Sequence, residues 1–505
     1  MLVSRENLKN IKSKAVELPA PSTFDLPVRI LQFGTGVLLR GLPDYYVDKA
    51  NKQGIFNGRI LVVKSTSSNG TDEFKEQDNI YTLCIKGIED GEQVVKYTLI
   101  NALSNVLTAS KDWQEILKAA ENPDLDIVFS NTTEVGITLS NDSIEENPPS
   151  SFPGKLLSFL YHRFQHFDGD EQKGLVILPT ELISDNATKL KKIIITLATK
   201  NQLSPAFIAW LTSANDFCNT LVDRIVPGKL TTQDKMEVEN LLGYQDDLMI
   251  MAEPFSLWAI ETDSERVKQK LSFAKADENI KLVPSINKFK EIKLRLLNGT
   301  HTLSTAIALW SGFETVTEAM NNKHFHQFVD NLMRLEIGPA IVNQHIEKDD
   351  TAQFSRRVID RFSNPFLQHR WESIALNYTS KMSMRVIDLI HNWYAKNHVL
   401  PQHIALGFAA YLKFMNSQQQ EQGFVQSING KTITLQDEFA PLLHDYWIQE
   451  ENVVKNVLSD DNLWGKNLTQ YKGFAEAVQN FLQEINAIGV LHTIEKLNAS
   501  WEETY

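Results

Sequence analysis

The stretch that most constrains this chain is V-R-I-L-Q-F-G-T-G-V-L-L-R, residues 28–40. Its first six residues read as a buried strand, and the glycines that follow at once mark a tight turn into a helix. Strand, glycine turn and helix in that order open a βαβ unit, which commits the N-terminal part to an α/β fold with a parallel sheet. In a dinucleotide-binding version Gly34 permits the turn, Gly36 lets the backbone approach a pyrophosphate, and the helix N-terminus faces its charge. An ordinary β–α turn uses the same two glycines, and Leu39 stands where the third glycine of G-x-G-x-x-G would be. Arg40 either adds positive charge beside phosphates or faces solvent. Pro43 is expected to kink or restart the helix, because proline lacks an N–H and clashes with the preceding turn.

Further along, 59–63 reads as the next strand, and Lys64, Ser65 and Thr66 follow where an acidic ribose-binding residue usually stands. That leaves NAD and NADP both open. Residues 81–100 suggest a hairpin insertion turning at Glu89, Asp90 and Gly91. A strand at 125–129 leads into S-N-T-T-E-V-G. Ligands of open α/β sheets bind past the carboxyl ends of strands, so Thr132, Thr133 and Glu134 are placed to meet the nicotinamide half of a cofactor, unless they form only a hydrogen-bonded turn. After a buried strand at 175–178, Asn186 either caps the helix 188–199 or points into a cleft, where it would share a substrate oxygen with Asn298. Asp223 and Arg224, flanked by apolar residues, suit a structural ion pair. The segment 253–261 alternates like a strand, and 263–275 reads as polar and exposed.

Around Pro284 the pattern changes, and from Ile286 onward almost everything has helical period. A chain of 505 residues exceeds what one core usually serves. Two domains are therefore expected, an α/β Rossmann-like domain over 1–285 and a mainly α-helical domain over 286–505, with the active site in the cleft between them. The second opens on K-L-R-L-L-N-G-T-H, residues 293–301. At about 100° per residue, Lys293, Asn298 and His301 fall within an arc of roughly 140° and can face one cavity. A desolvated lysine can take or give a proton near neutrality, an asparagine N–H can meet an oxygen that gains negative charge, and an imidazole can orient either. Such a set suits alcohol/carbonyl interconversion. A snorkelling lysine, a capping asparagine and a core histidine are the structural alternative.

The formal net charge of −13 argues against non-specific nucleic-acid binding. Two cysteines, Cys84 and Cys218, cannot build a disulfide framework or a zinc site unaided. With no signal-peptide core and no run of about 18 apolar residues, a cytoplasmic protein with no membrane partner is expected.

Laid in order, the motifs F-G-T-G-V-L-L-R, N-T-T-E-V-G, L-V-D-R-I-V-P and the spacing of Lys293, Asn298 and His301 resemble the mannitol dehydrogenase family, the long-chain polyol-specific dehydrogenases, over nearly the whole chain. A-E-P-F-S-L-W-A-I-E, L-R-L-L-N-G-T-H-T and R-F-S-N-P-F-L-Q-H-R-W-E-S-I-A-L-N are most similar to its hexuronate-reducing members. The resemblance implies metal-independent hydride transfer between NAD(H) and a small-molecule hexuronate, by a monomer or homo-oligomer. It implies Lys293 as general acid/base, Asn186 and Asn298 on the reacting oxygen, and His301 in binding and orientation. It further implies Asp223 and Lys381 on the substrate, Gly34, Gly36 and Arg40 around the pyrophosphate, and Thr132, Thr133 and Glu134 on the nicotinamide side. Ser373 replaces an arginine of the polyol-oxidising members. The substrate carboxylate then needs another partner, with Arg361, Arg370 and Lys381 as candidates. The stereochemistry of the sugar stays open, as does a polyol dehydrogenase or a catalytically silent NAD-binding regulator.

Overall fold

The computed structural model describes every residue except 66–71, 133–135, 422, 450 and 503–505. By internal contacts the chain forms two units, one of Met1–Lys86 with Gln93–Ile286, the other of Gly87–Glu92 with Asn287–Tyr505.

The first unit is built on six strands: β1 Val28–Phe33, β2 Arg59–Lys64, β3 Leu103–Thr108, β4 Ile127–Ser130, β5 Val176–Pro179 and β6 Asp216–Phe217. They pair in the order β3-β2-β1-β4-β5-β6, every pair parallel. This is the doubly wound order, whose direction of winding reverses between β1 and β4 and opens a crevice at their carboxyl ends. The strands are apolar almost throughout because both faces are covered. Ile30, Val62 and Phe129 point into one core, and Leu31, Phe33, Val63 and Val128 into the other.

Two local features depart from the sequence reading. Residues 263–275 are not an exposed polar segment: they carry the helix Glu265–Lys270 and a short 3-10 turn, and Val267, Leu271 and Phe273 are fully buried. Phe273 stacks on Trp258 at 5.6 Å and meets Phe129 edge-on, which closes that face of the sheet. The third glycine, absent at Leu39, has its counterpart at Gly41. A Cβ there would lie 2.8 Å from both methyl carbons of Val226, so its absence lets the helix Val37–Gly41 pack close. Leu42 breaks that helix (φ −133°, ψ −77°) and Pro43 restarts it as Pro43–Lys52.

The hairpin of Tyr81–Glu89 and Glu92–Ile100 turns at Asp90 (φ 52°) and Gly91 (φ 79°), the two positive dihedrals a type I′ turn requires. Its tip belongs to the second unit, where the Asp360 carboxylate accepts both backbone N–H groups at 2.9 and 3.1 Å.

The rest of the second unit is mainly helical. Helices Thr300–Trp310 and Gln402–Met415 are buried on nearly every side. Stretches with one continuous helical period prove to be pairs: 438–457 becomes Ala440–Ile448 and Val453–Ser459, and Gly489 (φ 85°) separates Phe474–Ile488 from Val490–Glu502. Between helices lies a three-stranded antiparallel sheet of Gln418–Gln420, Gly423–Ile428 and Lys431–Thr434. No described helix is long and apolar enough to cross a membrane.

Gly41→Ala is expected to lower stability by about 1–3 kcal/mol through overpacking against Val226. Urea unfolding followed by circular dichroism measures this, and a midpoint within error of the parent would show that Val226 simply moves aside.

Candidate active site

In the second unit, Lys293–Gly299 is a π-helical segment continuous with the α-helix Thr300–Trp310. The α-helical spacing used above is therefore corrected. In a π-helix the bonding step is five residues, so Lys293 and Asn298 lie about one turn apart, one above the other. Such segments are rare and recur at functional sites. Lys293 and Asn298 are half-buried on this turn, whereas Arg295, Leu296 and Leu297 are buried. Arg295 locks the turn to the helix Tyr378–Lys396, donating to the carbonyls of Met384 and Arg385 and to the Asp388 carboxylate at 2.9–3.0 Å. Tyr378 fixes the next turn: its hydroxyl donates to Thr302 O at 2.7 Å and accepts from the Ala306 N–H at 3.1 Å. A side-chain hydroxyl thus bridges an i, i+4 pair of the helix backbone.

His301 follows one turn after Asn298. Its ring stacks on Phe362 at 4.1 Å and 12° and meets His369 edge-on at 5.1 Å. Its Nε2 is buried without a hydrogen-bond partner. Burial holds the imidazole well below its usual pKa, and the positive potential of His369, Arg361, Arg385 and Lys381 acts in the same direction. The ring is neutral at physiological pH and offers one donor and one acceptor.

The bases around it differ in their commitments. Arg385 donates to Thr302 Oγ1 at 3.1 Å and lies 3.5 Å from Asn298 O. Lys381, one turn earlier on the same helix, donates to Ile374 O at 2.9 Å. Arg370 is exposed and paired with Glu314 at 3.1 Å, which removes it from the candidates for a substrate carboxylate. The sequence reading passed over Arg385 and His369. The i, i+4 spacing of Lys381 and Arg385 was the signal for the former.

In the first unit, Gly34 has φ +125°, and a Cβ there would lie 3.1 Å from Asn131 O. Gly36 caps the helix Val37–Gly41 with open space in front of its Cα. Both observations fit the backbone approach a dinucleotide pyrophosphate requires. Arg40 does not serve it. Its guanidinium turns inward, donates to Leu248 O at 2.8 Å and lies over the Tyr81 ring, so the expected phosphate contact is withdrawn. Beneath the glycine turn, Gln32 Nε2 reaches Gly34 O at 3.2 Å and the fully buried Asp44 carboxyl at 3.4 Å. Gln32 Oε1 and Asp44 Oδ1 are both buried acceptors without donors. A proton on Asp44 supplies the missing donor, and burial raises its pKa to about 8 against the lowering influence of Gln32 and Arg40.

At the carboxyl ends of β4 and β5, the buried Glu181 carboxylate accepts from the Thr132 N–H at 2.9 Å, from Thr132 Oγ1 at 3.1 Å and from Ser130 Oγ at 3.1 Å. Thr132 is thereby held at the crevice by a residue the sequence reading did not single out. Thr133 and Glu134 lie outside the described residues, as does Thr66. Lys64 is buried at the end of β2. Asn186 neither caps a helix through its side chain nor presents a free amide. Its Nδ2 lies 3.0–3.2 Å from the carbonyls of Pro179, Glu181 and Thr220, and its Oδ1 accepts from the Thr220 and Ala187 N–H groups. Its polar groups are committed to backbone, so it fastens this loop. Asp223 is buried at the end of Thr220–Asp223. Arg224 bonds the carbonyls of Gly41 and Glu253, not Asp223. Both cysteines are buried free thiols, pushed up to about 12.

A doubly wound sheet with a glycine turn at its switch point in one unit, and lysine, asparagine and neutral histidine on consecutive helical turns in the other, are the features of a Rossmann-type dehydrogenase. Residues 28–275 match the mannitol dehydrogenase Rossmann domain and residues 285–486 the mannitol dehydrogenase C-terminal domain. The chain belongs to the mannitol dehydrogenase family and is an oxidoreductase acting on CH–OH groups. It is 35% identical over 477 residues to the altronate oxidoreductase of Bacillus subtilis (strain 168), covering 93% of this chain and 95% of that one. With the altronate oxidoreductase of Pectobacterium carotovorum subsp. carotovorum (strain PC1) it shares 36% over 484 residues, 93% and 96% of the two chains. Among solved structures, its fold is similar to Pseudomonas fluorescens mannitol 2-dehydrogenase in ternary complex with NAD and D-mannitol (TM-score 0.67, 21% identity, 98% and 99% covered). It is also similar to D-sorbitol dehydrogenase in substrate-free form (TM-score 0.75, 20% identity, 98% and 100% covered).

The Asp44 proton gives a pH prediction. Folded Asp44 titrates near 8, whereas the unfolded residue titrates near 3.8. Between those values the folded state holds the extra proton, so stability is fully present below 3.8 and is lost as pH rises to about 8. Asp44→Asn keeps a neutral side chain at every pH. Its stability relative to the parent is expected to grow by about 1 kcal/mol per pH unit from pH 5 to 8 and then level off. Parallel stability curves would mean that Asp44 is ionised in the folded chain.

Proposed function

We propose that this chain catalyses the reversible NADH-linked reduction of tagaturonate to altronate, the reaction of a tagaturonate reductase, in the cytoplasm. The observation that carries the reading is the π-helical turn, which stacks a half-buried lysine and a half-buried asparagine one turn before a neutral histidine, in a chain about one third identical to altronate oxidoreductases.

A dinucleotide fits the first unit at Gly34, Gly36 and the 130–132 loop; bound there as NADH, it supplies the hydride to the substrate carbonyl carbon. As the carbonyl oxygen gains negative charge, the Asn298 amide donates to it more strongly than in the ground state. Among the described residues no other group takes the Asn298 side chain, so its N–H is free for that oxygen. Lys293, as ammonium, delivers the proton to the same oxygen, and in the oxidation direction its neutral amine removes it. His301 holds a neighbouring hydroxyl by accepting or donating one hydrogen bond, which its neutral state permits. Asp223 and Lys381 are assigned to the remaining polar groups of the sugar acid. Glu181 and Asn186 act as positioning residues, holding Thr132 and the loop after β5.

The test is the fall in NADH absorbance with tagaturonate, fructuronate and fructose in parallel, repeated with NADPH because Lys64 stands at the end of β2. Loss with tagaturonate and NADH alone is expected. Loss with fructose instead would move the chain to the polyol branch. Lys293→Ala should cut turnover by about 10²–10⁴-fold while NADH affinity stays within about twofold; undiminished turnover would remove lysine from the proton transfer.

A further inference from the structure

Several charged side chains of the second unit converge on His301 without being used by proton transfer. Arg385 is anchored on Asn298 O and Thr302 Oγ1, the backbone and side-chain oxygens that flank His301 in the helix. Lys381 lies one turn before it on the same face of the helix Tyr378–Lys396. Arg361 is buried beside Phe362, the residue stacked on the His301 ring, and the half-buried His369 ring meets His301 edge-on at 5.1 Å. Four basic groups therefore surround one buried imidazole whose Nε2 has no partner. No carboxylate is hydrogen-bonded to Arg385 or Lys381 among the described residues. Asp437, which favours the charged form of Lys381, is the one acid that acts on it.

A concentration of partly desolvated positive charge with an unsatisfied polar atom at its centre is costly in an empty protein, and an anion relieves it. The occupant must be small, must lie next to Asn298, and must offer oxygens to planar guanidinium groups, which bind carboxylates through two parallel hydrogen bonds. We propose that Arg385, with Arg361, His369 and Lys381, forms the receptor for the carboxylate of the substrate and is what makes this enzyme select a sugar acid over a neutral ketose or alditol. The proposal rests on the hexuronate reading above, narrows the role that reading gives Lys381 to the carboxylate, and adds Arg385 and His369, which that reading leaves without a role. His301 then stands between the receptor and the oxygen held by Asn298, so the carboxylate fixes which carbon presents its oxygen to Lys293.

The experiment compares altronate with altritol, its neutral alditol, as oxidation substrates and as ligands followed by tryptophan fluorescence, Trp371 lying 6.1 Å from His301. Parent, Arg385→Met, Arg385→Lys and His369→Gln chains are used, with folding checked by circular dichroism. The parent is expected to prefer altronate. Arg385→Met should raise KM and Kd for altronate by about tenfold to hundredfold, leave altritol binding nearly unchanged, and so collapse the preference. Arg385→Lys should recover part of it, and His369→Gln should weaken altronate binding alone. A parent that prefers altritol would overturn both the hexuronate reading and the receptor. A parent that prefers altronate, with the preference intact in folded Arg385→Met and His369→Gln, would overturn the receptor and leave the reading standing.

Discussion

The helical register at 293–301 is the constraint on which the placing of Lys293, Asn298 and His301 depends. An α-helix would rotate Asn298 well away from Lys293, whereas a π-helical turn returns the chain to the same side after five residues. Such a turn has poorer internal bonding and persists only where neighbours hold it. Here Arg295 ties it to the backbone and the Asp388 carboxylate of the helix Tyr378–Lys396, and the Tyr378 hydroxyl bridges Thr302 and Ala306 just beyond. One helix therefore sets the register of Lys293 and Asn298 and carries Lys381 and Arg385. A shift of that helix would move Lys293, Asn298 and the basic cluster together.

The first unit solves a different problem, that of keeping a strand-end crevice open while burying its rims. Glu181 accepts from the loop after β4 and Asn186 bonds the carbonyls of the loop after β5, so the crevice wall is built from polar groups satisfied within the protein. Beneath the glycine turn, Arg40 is kept away from the surface by Leu248 and Tyr81, and Asp44 carries a proton. The carboxyl beneath the turn is thus neutral and the nearby guanidinium is turned inward, so the groups offered directly to a phosphate are backbone N–H groups.

Legibility followed the range of the interaction. Four of the six parallel strands could be read because each is a short apolar run before a turn signal, whereas Leu103–Thr108 and Asp216–Phe217 carry polar residues and gave no such signal; the I′ turn at Asp90 and Gly91 is a two-residue code. The same code stands at Asn429 and Gly430 (φ 50° and 80°), where N-G between alternating residues marks a hairpin in a stretch otherwise surrounded by helical period. Phe273 was misread because lysines flank it, and its burial comes from Trp258 and Phe129, far away in sequence. The inward turn of Arg40 depends on Leu248, about two hundred residues on, and no local pattern reports that. The residue set at 293–301 was visible from composition, but its geometry was not, since π-helical and α-helical turns draw on the same residues.

The remaining unsatisfied atoms are instructive because native interiors rarely tolerate them. In the first unit they include Gln32 Oε1 and Asp44 Oδ1, under the turn expected to hold a pyrophosphate; in the second they include His301 Nε2, with Thr300 and Ser304 hydroxyls on the same helix. The first pair are both acceptors, and one internal proton reduces the imbalance. The second case cannot be solved that way, because a second proton on His301 would add charge to a site already dominated by Arg361, Arg385 and Lys381. In the receptor proposed above, a group from outside that carries acceptor oxygens and negative charge lowers the cost of the orphaned nitrogen and of the positive charge on Arg385 and Lys381. On the proposed reading, stability withheld at that point becomes binding energy when a sugar acid arrives, and it is spent where it orients the carbon to be reduced.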